Sequence, residues 1–197
     1  NAIEEWFYKK GFFASGTIIS SGRAAADPHA IGEGIIAAGA PIVCDIFPYS
    51  RKSGFYADIT RTFFKGTPLP TIEKAYRAVL GAQKRGIALL KAGIDGRKVH
   101  RAVSRAFEKE GFETHPSKGE GFIHSTGHGV GLECHELIHI GSSRCIIPER
   151  SVVTVEPGLY YPQDGYGIRI EDMVLVQRNN SLVLTSFPKD FASVVIL

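Results

Sequence analysis

Apolar residues recur along the chain with two different spacings. Near the start, Ile3, Phe7 and Tyr8 sit at helical spacing, and Gly11 ends the pattern. Three segments rich in β-branched and aromatic residues follow: TIISSG (17–22), IVCDIF (42–47) and YADITRTFF (56–64). Each predicts a strand. Pro68 and Pro70 punctuate the chain. Over 71–92, Ile72, Ala75, Tyr76, Val79, Leu80, Ile87 and Leu90 form one helical stripe, broken by Gly93 and Asp95–Gly96. A second helix is expected over 98–109, with Val99, Val103, Ala106 and Phe107 inward and Gly111 as its stop. The remainder reads as strands in SVVTVE, YGIRIEDMVLVQ, SLVLTSF and ASVVIL. Strands, two helices and strands again, with no linker or low-complexity segment, predict an α+β layer arrangement.

The acids interrupt this pattern in an informative way, because carboxylates are rare in apolar strands unless something compensates them. Asp45 lies within IVCDIF and Asp58 within FYADITRTF, with a turn-like stretch from Ser50 to Gly54 between them. A hairpin closed there brings the two carboxylates close, and a shared cation relieves their repulsion. The arrangement recurs later. Glu156 ends VVTVE, Glu171 lies within GIRIEDMVLV, and the turn-rich PGLYYPQDGYG separates them. Alternation puts Arg169 and Glu171 on one face, Ile168 and Ile170 on the other, and turns Asp172 away from Glu171 as a structural residue. Two carboxylate-bearing hairpins suggest an internal duplication. A single strand acid is as often a salt-bridge partner, but four in two similar pairs argue for a cation site.

The histidines sharpen the picture. HSTGHGVGLECHE carries His124, His128 and His135, with glycines that allow close approach of backbone or ligand. The glycine run has neither the spacing of a dinucleotide fingerprint nor the Lys-Ser/Thr of a phosphate loop.

Composition narrows the class. The 197 residues suffice for one domain, 44% are hydrophobic and 22% charged, and the net charge is only +3. That small surplus, without basic runs, gives no reason to expect nucleic acid, and no apolar stretch reaches transmembrane length. The N-terminal NAIEEWFYKKGFF does not read as a secretory signal. Cys44, Cys134 and Cys145, an odd set without CxxC spacing, read as buried small hydrophobes and point to a cytoplasmic protein. Phe47, Phe55, Tyr56 and Phe63 read as core packing.

Together these residues resemble the pita-bread metallopeptidases, the superfamily of methionine aminopeptidases, Xaa-Pro aminopeptidases and prolidases. The resemblance runs from about residue 16 to 177. It implies a single catalytic domain over 1–197, with two pseudo-symmetric halves and a curved antiparallel sheet covered by helices. The helix and N-terminal domain that precede this region in the Xaa-Pro branch are expected to be lacking. It also implies two divalent ions (Mn, Co, Fe or Zn) held by Asp45, Asp58, His128, Glu156 and Glu171. Asp45 and Glu171 would bridge the ions. His29 and His135 match the family's histidines near the substrate. His124, Arg169 and Tyr160, the last within EPGLY, are similar to the Xaa-Pro branch rather than the methionine branch. The spacing from Asp45 to Asp58 exceeds the usual one by two residues, which the hairpin tip PYSRKSG can absorb.

The implied reaction is hydrolysis of the peptide bond after the first residue, with proline second. Glu156 would move the proton of the attacking water, and His135 and His29 would hydrogen-bond the substrate and the developing oxyanion. His124 would bind substrate, or serve as a satisfied histidine in the pocket wall. Arg169 would pair with Asp45, and Tyr160 would join that network. The expected partner is a peptide, and a homodimer is left open. The rival readings are a methionine aminopeptidase, a pita-bread domain without peptidase activity, and an α+β domain with structural acids.

Overall fold

The computed structural model describes residues 2–196. It opens with α1 (Ala2–Lys9), then β1 (Phe12–Phe13), β2 (Ile18–Ser21), β3 (Pro41–Ile46), β4 (Tyr49–Ser50) and β5 (Ile59–Lys65). Two helices follow, α2 (Pro70–Leu89) and α3 (Gly96–Lys109). The second half comprises β6 (Gly127–Gly129), β7 (Glu136–Ile140), β8 (Val152–Val155), β9 (Gly158–Tyr161), β10 (Tyr166–Arg169), β11 (Asp172–Val176) and β12 (Ser181–Val183). It closes with α4 (Phe191–Val194) and β13 (Val195–Ile196).

The α+β expectation holds. One sheet has the strand order β13-β5-β3-β2 and the other β12-β11-β8-β6-β7. All their pairings are antiparallel except β13 on β5. Pro70 starts α2, where its missing N–H costs nothing. Asp95 caps α3 by accepting from Arg97 N at 3.1 Å. The inward stripes of the helices cover the sheets. Tyr76, Val79, Val103 and Phe107 pack with Phe64, Leu159, Ile168 and Ile170. A second core joins Leu90 and Val99 to Ile140, Val153, Val155, Val174 and Val176.

Several expectations change. ASVVIL forms the short helix α4 before β13, because Asp190 accepts from Ser193 N at 3.1 Å and Oγ at 2.6 Å and so caps a turn. Leu197, the last residue of that segment, lies outside the described residues. YGIRIEDMVLVQ is two strands, broken at Ile170–Glu171 where Glu171 N turns to Thr60 O at 3.0 Å. PGLYYPQDGYG is not all turn, since Gly158–Tyr161 pairs with Tyr166–Arg169 as a hairpin. SLVLTSF keeps strand geometry only over β12. YADITRTFF begins its strand at Ile59, so Asp58 precedes it. The tip after β3 folds back on the chain's start, with β4 pairing β1 and Arg51 N donating to Gly11 O at 3.1 Å. Phe55 is exposed, and the three cysteines are half-buried rather than core residues.

The two sheets are fastened through Asp172, which is fully buried. Its Oδ1 accepts from Arg61 Nη2 at 2.7 Å and Thr185 Oγ1 at 2.6 Å. Its Oδ2 accepts from Gln83 Nε2 at 2.8 Å and pairs with Lys189 Nζ. Burial alone raises this carboxyl, but the Lys189 and Thr185 hydrogen bonds and the Arg61 charge outweigh it and hold it below its ordinary value of 3.8. Its contribution to stability is therefore full above that value and lost as the pH falls below it.

Asp172→Ala leaves Arg61 and Lys189 without their counter-charge. Urea unfolding should show a loss of about 3–5 kcal/mol, and a loss below about 1 kcal/mol would mean the network does not fasten the sheets. A Cβ at Gly127 would overlap the Thr154 carbonyl oxygen on the neighbouring strand. Gly127→Ala should therefore cost about 1–3 kcal/mol by the same measurement, and an unchanged midpoint would contradict that close approach.

Candidate metal centre

The cleft lies where the two sheets meet, a cavity of about 820 Å³ lined by residues of both. β3 supplies Asp45, whose register partner on β5 is Thr60. Asp58 sits two residues before Thr60, which places the two aspartates diagonally rather than directly opposite. From the other sheet come His128 on β6, Glu156 just after β8, and Glu171 just before β11. All five line the cleft, together with His29, His124, His135 and Arg169. Tyr160 stands behind them, fully buried. The structure thus brings together the five expected metal ligands with His29, His124, His135, Arg169 and Tyr160.

Donor atoms of Asp58, His128 and Glu171 all lie within 4.8 Å of one another. Glu156 Oε1 is 3.4 Å from His128 Nε2. Glu171 Oε2 accepts from Thr60 Oγ1 at 2.7 Å. Arg169 Nη2 donates to Asp45 Oδ2 at 2.7 Å, as the alternation of Arg169 and Glu171 suggests. The other oxygen, Asp45 Oδ1, is buried with no hydrogen-bond partner.

The protonation pattern follows from the crowding. Burial, then the charge of Asp45, pushes the Asp58 carboxyl up to about 7. Burial pushes Glu156 up to about 8, and burial with the Asp58 charge drives Glu171 well above its ordinary value. Burial pushes His128 down to about 4, so its ring is neutral at pH 7. With Nδ1 set against Gly129 O at 3.1 Å, that nitrogen carries the proton and Nε2 offers a lone pair toward the carboxylates. Four acids beside a single guanidinium, a neutral imidazole and a partnerless buried carboxylate oxygen form a donor set that divalent cations would satisfy.

A second chain of contacts braces Asp45. Arg169 Nη1 donates to Tyr160 Oη at 2.7 Å, and Tyr160 Oη meets His124 Nε2 at 3.0 Å. His124 Nδ1 meets Ser125 O at 2.7 Å. Burial, then the Arg169 charge, pushes His124 down to about 3, so it accepts from the tyrosine and donates to the carbonyl. His124 lines the cleft as a satisfied histidine of its wall, with both ring nitrogens engaged by Tyr160 and Ser125. His135 and His29 are exposed at the cleft, and the His135 ring meets that of His128 edge-on at 4.0 Å.

Three residues were missed or misread in the sequence. Thr60 touches both Glu171 and Arg169 Nε, the latter at 3.2 Å. Its place two residues after Asp58, on the same strand face, was the available signal. Phe47 lines the cleft instead of the core. Cys134 also lines the cleft, with Sγ 3.6 Å from Asp58 Oδ2, instead of packing in the core.

The model of the family described as Metallopeptidase family M24 matches residues 1–178. The chain is 33% identical to the Uncharacterized peptidase YqhT of Bacillus subtilis over 194 residues, covering 96% of this chain and 52% of that one. It is 36% identical to a Xaa-Pro dipeptidase of Pyrococcus furiosus over 176 residues, covering 88% and 48%. Among solved structures, a Xaa-Pro dipeptidase from Bacillus anthracis superposes with a TM-score of 0.88 at 35% identity, covering 98% of this chain and 53% of that one. The chain spans about half the length of the curated relatives it matches. With its two sheets, covering helices and cleft of acids, it has the pita-bread fold and belongs to metallopeptidase family M24.

Proposed function

We propose that the chain is the catalytic part of a peptidase that hydrolyses the bond after the first residue of Xaa-Pro substrates. The observation that carries this reading is the convergence of Asp45, Asp58, His128, Glu156 and Glu171 on one cleft, with Asp45 Oδ1 buried and unpartnered. The names of the relatives, Xaa-Pro dipeptidase and putative Xaa-Pro aminopeptidase, support the substrate class. The five side chains would hold two divalent ions, with Mn, Co, Fe and Zn all compatible with four carboxylates and an imidazole. Such ions act as Lewis acids and lower the pKa of water.

The protein's own groups then have distinct tasks. Glu156, beside His128, takes the proton of the attacking water and returns it to the leaving imide nitrogen. His135 and His29, exposed at the cleft, donate to the substrate and to the oxyanion that develops on its carbonyl. Arg169 holds Asp45 in place, and Tyr160 and His124 hold Arg169. The three free thiols support a reducing, cytoplasmic setting. No helix among the described residues is long and apolar enough to cross a membrane.

A panel of a Xaa-Pro dipeptide, a Xaa-Pro tripeptide and a Met-Ala-Ser peptide, assayed with added Mn or Co, tests the class. Xaa-Pro cleavage abolished by chelator is the expected result, and cleavage of the methionine peptide alone would replace the reading. Asp58→Ala should remove one bound ion, measured by metal analysis, and reduce turnover at least about 100-fold. Full metal content with full turnover would remove Asp58 from the centre.

A further inference from the structure

The acids of the cleft adjoin an apolar surface that the first sheet builds around Asp45. On β2 the register partner of Asp45 is Ile18. Paired residues share a sheet face, so the Ile18 side chain stands on the side of the Asp45 carboxylate. Phe47 follows Asp45 by two residues and returns to that face. β3 ends at Ile46, but the residue after Phe47 is Pro48, and a residue before proline is held extended. The strand alternation therefore continues through Phe47. Pro48 O accepts from Ala57 N at 2.8 Å, which anchors the segment. Ile18 and Phe47 both line the cleft with Asp45.

A glycine sets the position of the Phe47 ring. Carrying the β2–β3 register two residues further puts Gly16 opposite Phe47. A Cβ at Gly16 would stand 3.3 Å from Phe47 Cζ and 3.5 Å from Cε2. The ring thus lies over the bare backbone of Gly16, whose φ of +84° also favours glycine. Phe47 is half-buried, so part of its ring rests on Gly16 and the rest is presented to the cleft.

The proposed reaction fixes which part of a substrate meets this surface. Glu156, which returns the proton to the leaving nitrogen, comes from the second sheet, just after β8. The leaving residue therefore lies toward that sheet, and the residue before the scissile bond extends toward the wall of Asp45, Ile18 and Phe47. We propose that Phe47, seated on Gly16 beside Ile18, determines specificity for the first residue of the substrate and selects an apolar side chain there. The inference rests on the peptidase reading above. The ring excludes water from one side of that side chain and gives a charged one nothing to pair with.

The dipeptides Leu-Pro and Gly-Pro, assayed with added Mn or Co, differ only in the first side chain. The wild type should favour Leu-Pro in kcat/KM by at least about tenfold. Phe47→Ala should lower that ratio about tenfold, and Phe47→Leu, which keeps an apolar side chain in place, should retain most of it. Calorimetric titration with analogues in which CH2 replaces the scissile carbonyl reads the same preference without turnover, and in the wild type needs no variant to fold. Equal kcat/KM for the two dipeptides in the wild type, or a ratio that survives Phe47→Ala, overturns this inference and leaves the peptidase reading standing. So does an effect of Phe47→Ala on Leu-Pro against Leu-Ala alone, which would place the ring at the second residue. A wild-type chain that cleaves no Xaa-Pro peptide and binds neither analogue overturns both.

Discussion

The pairing of two neighbouring residues on β5 with Glu171, just before β11, and Asp172, its first residue, holds the rest of the molecule in place. Thr60 reaches Glu171, and the next residue, Arg61, reaches Asp172. Successive side chains of an extended strand point to opposite faces, so the two contacts lie on opposite sides of the same junction. One side is a saturated, buried ion network closed by Lys189, Gln83 and Thr185. The other opens into the cleft. The sheets thus meet at a fixed distance and register, and the carboxylates inherit their geometry from an interaction that takes no part in the proposed chemistry.

This arrangement explains why so much unrelieved acid persists in one place. Isolated, each of the crowded carboxyls gains little from being there, since burial and mutual repulsion push Asp58, Glu156 and Glu171 toward their protonated forms. Stability is supplied nearby, by the apolar cores under α2 and α3 and by the Asp172 network. The cleft can therefore stay electrostatically unsatisfied, in readiness for cations.

Much of this was legible in the chain. Acids in β-branched, aromatic strands stood out against their surroundings, and period-two alternation placed Arg169 with Glu171 and turned Asp172 away from Glu171. The two long helices were readable from their stripes. What escaped reading depended on contacts distant in sequence. The break at Ile170–Glu171 arises because Glu171 N turns to Thr60, more than a hundred residues earlier. The helix at Phe191–Val194 overrode a β-branched run through one aspartate cap. Cys134 read as a buried small hydrophobe, because only the fold of the 131–135 loop brings it to Asp58.

The contacts from Arg169 through Tyr160 to His124 all donate in one direction. At one end stands a guanidinium, which keeps its protons throughout the range in which proteins are folded. At the other is the carbonyl of Ser125, which can accept a hydrogen bond but cannot hold a proton. A row of polar groups terminated in this way has no exit for a proton at either end. It is a rigid strut and not a proton wire, and whatever acid–base traffic the cleft supports must run on its open side, past Glu156 and His135.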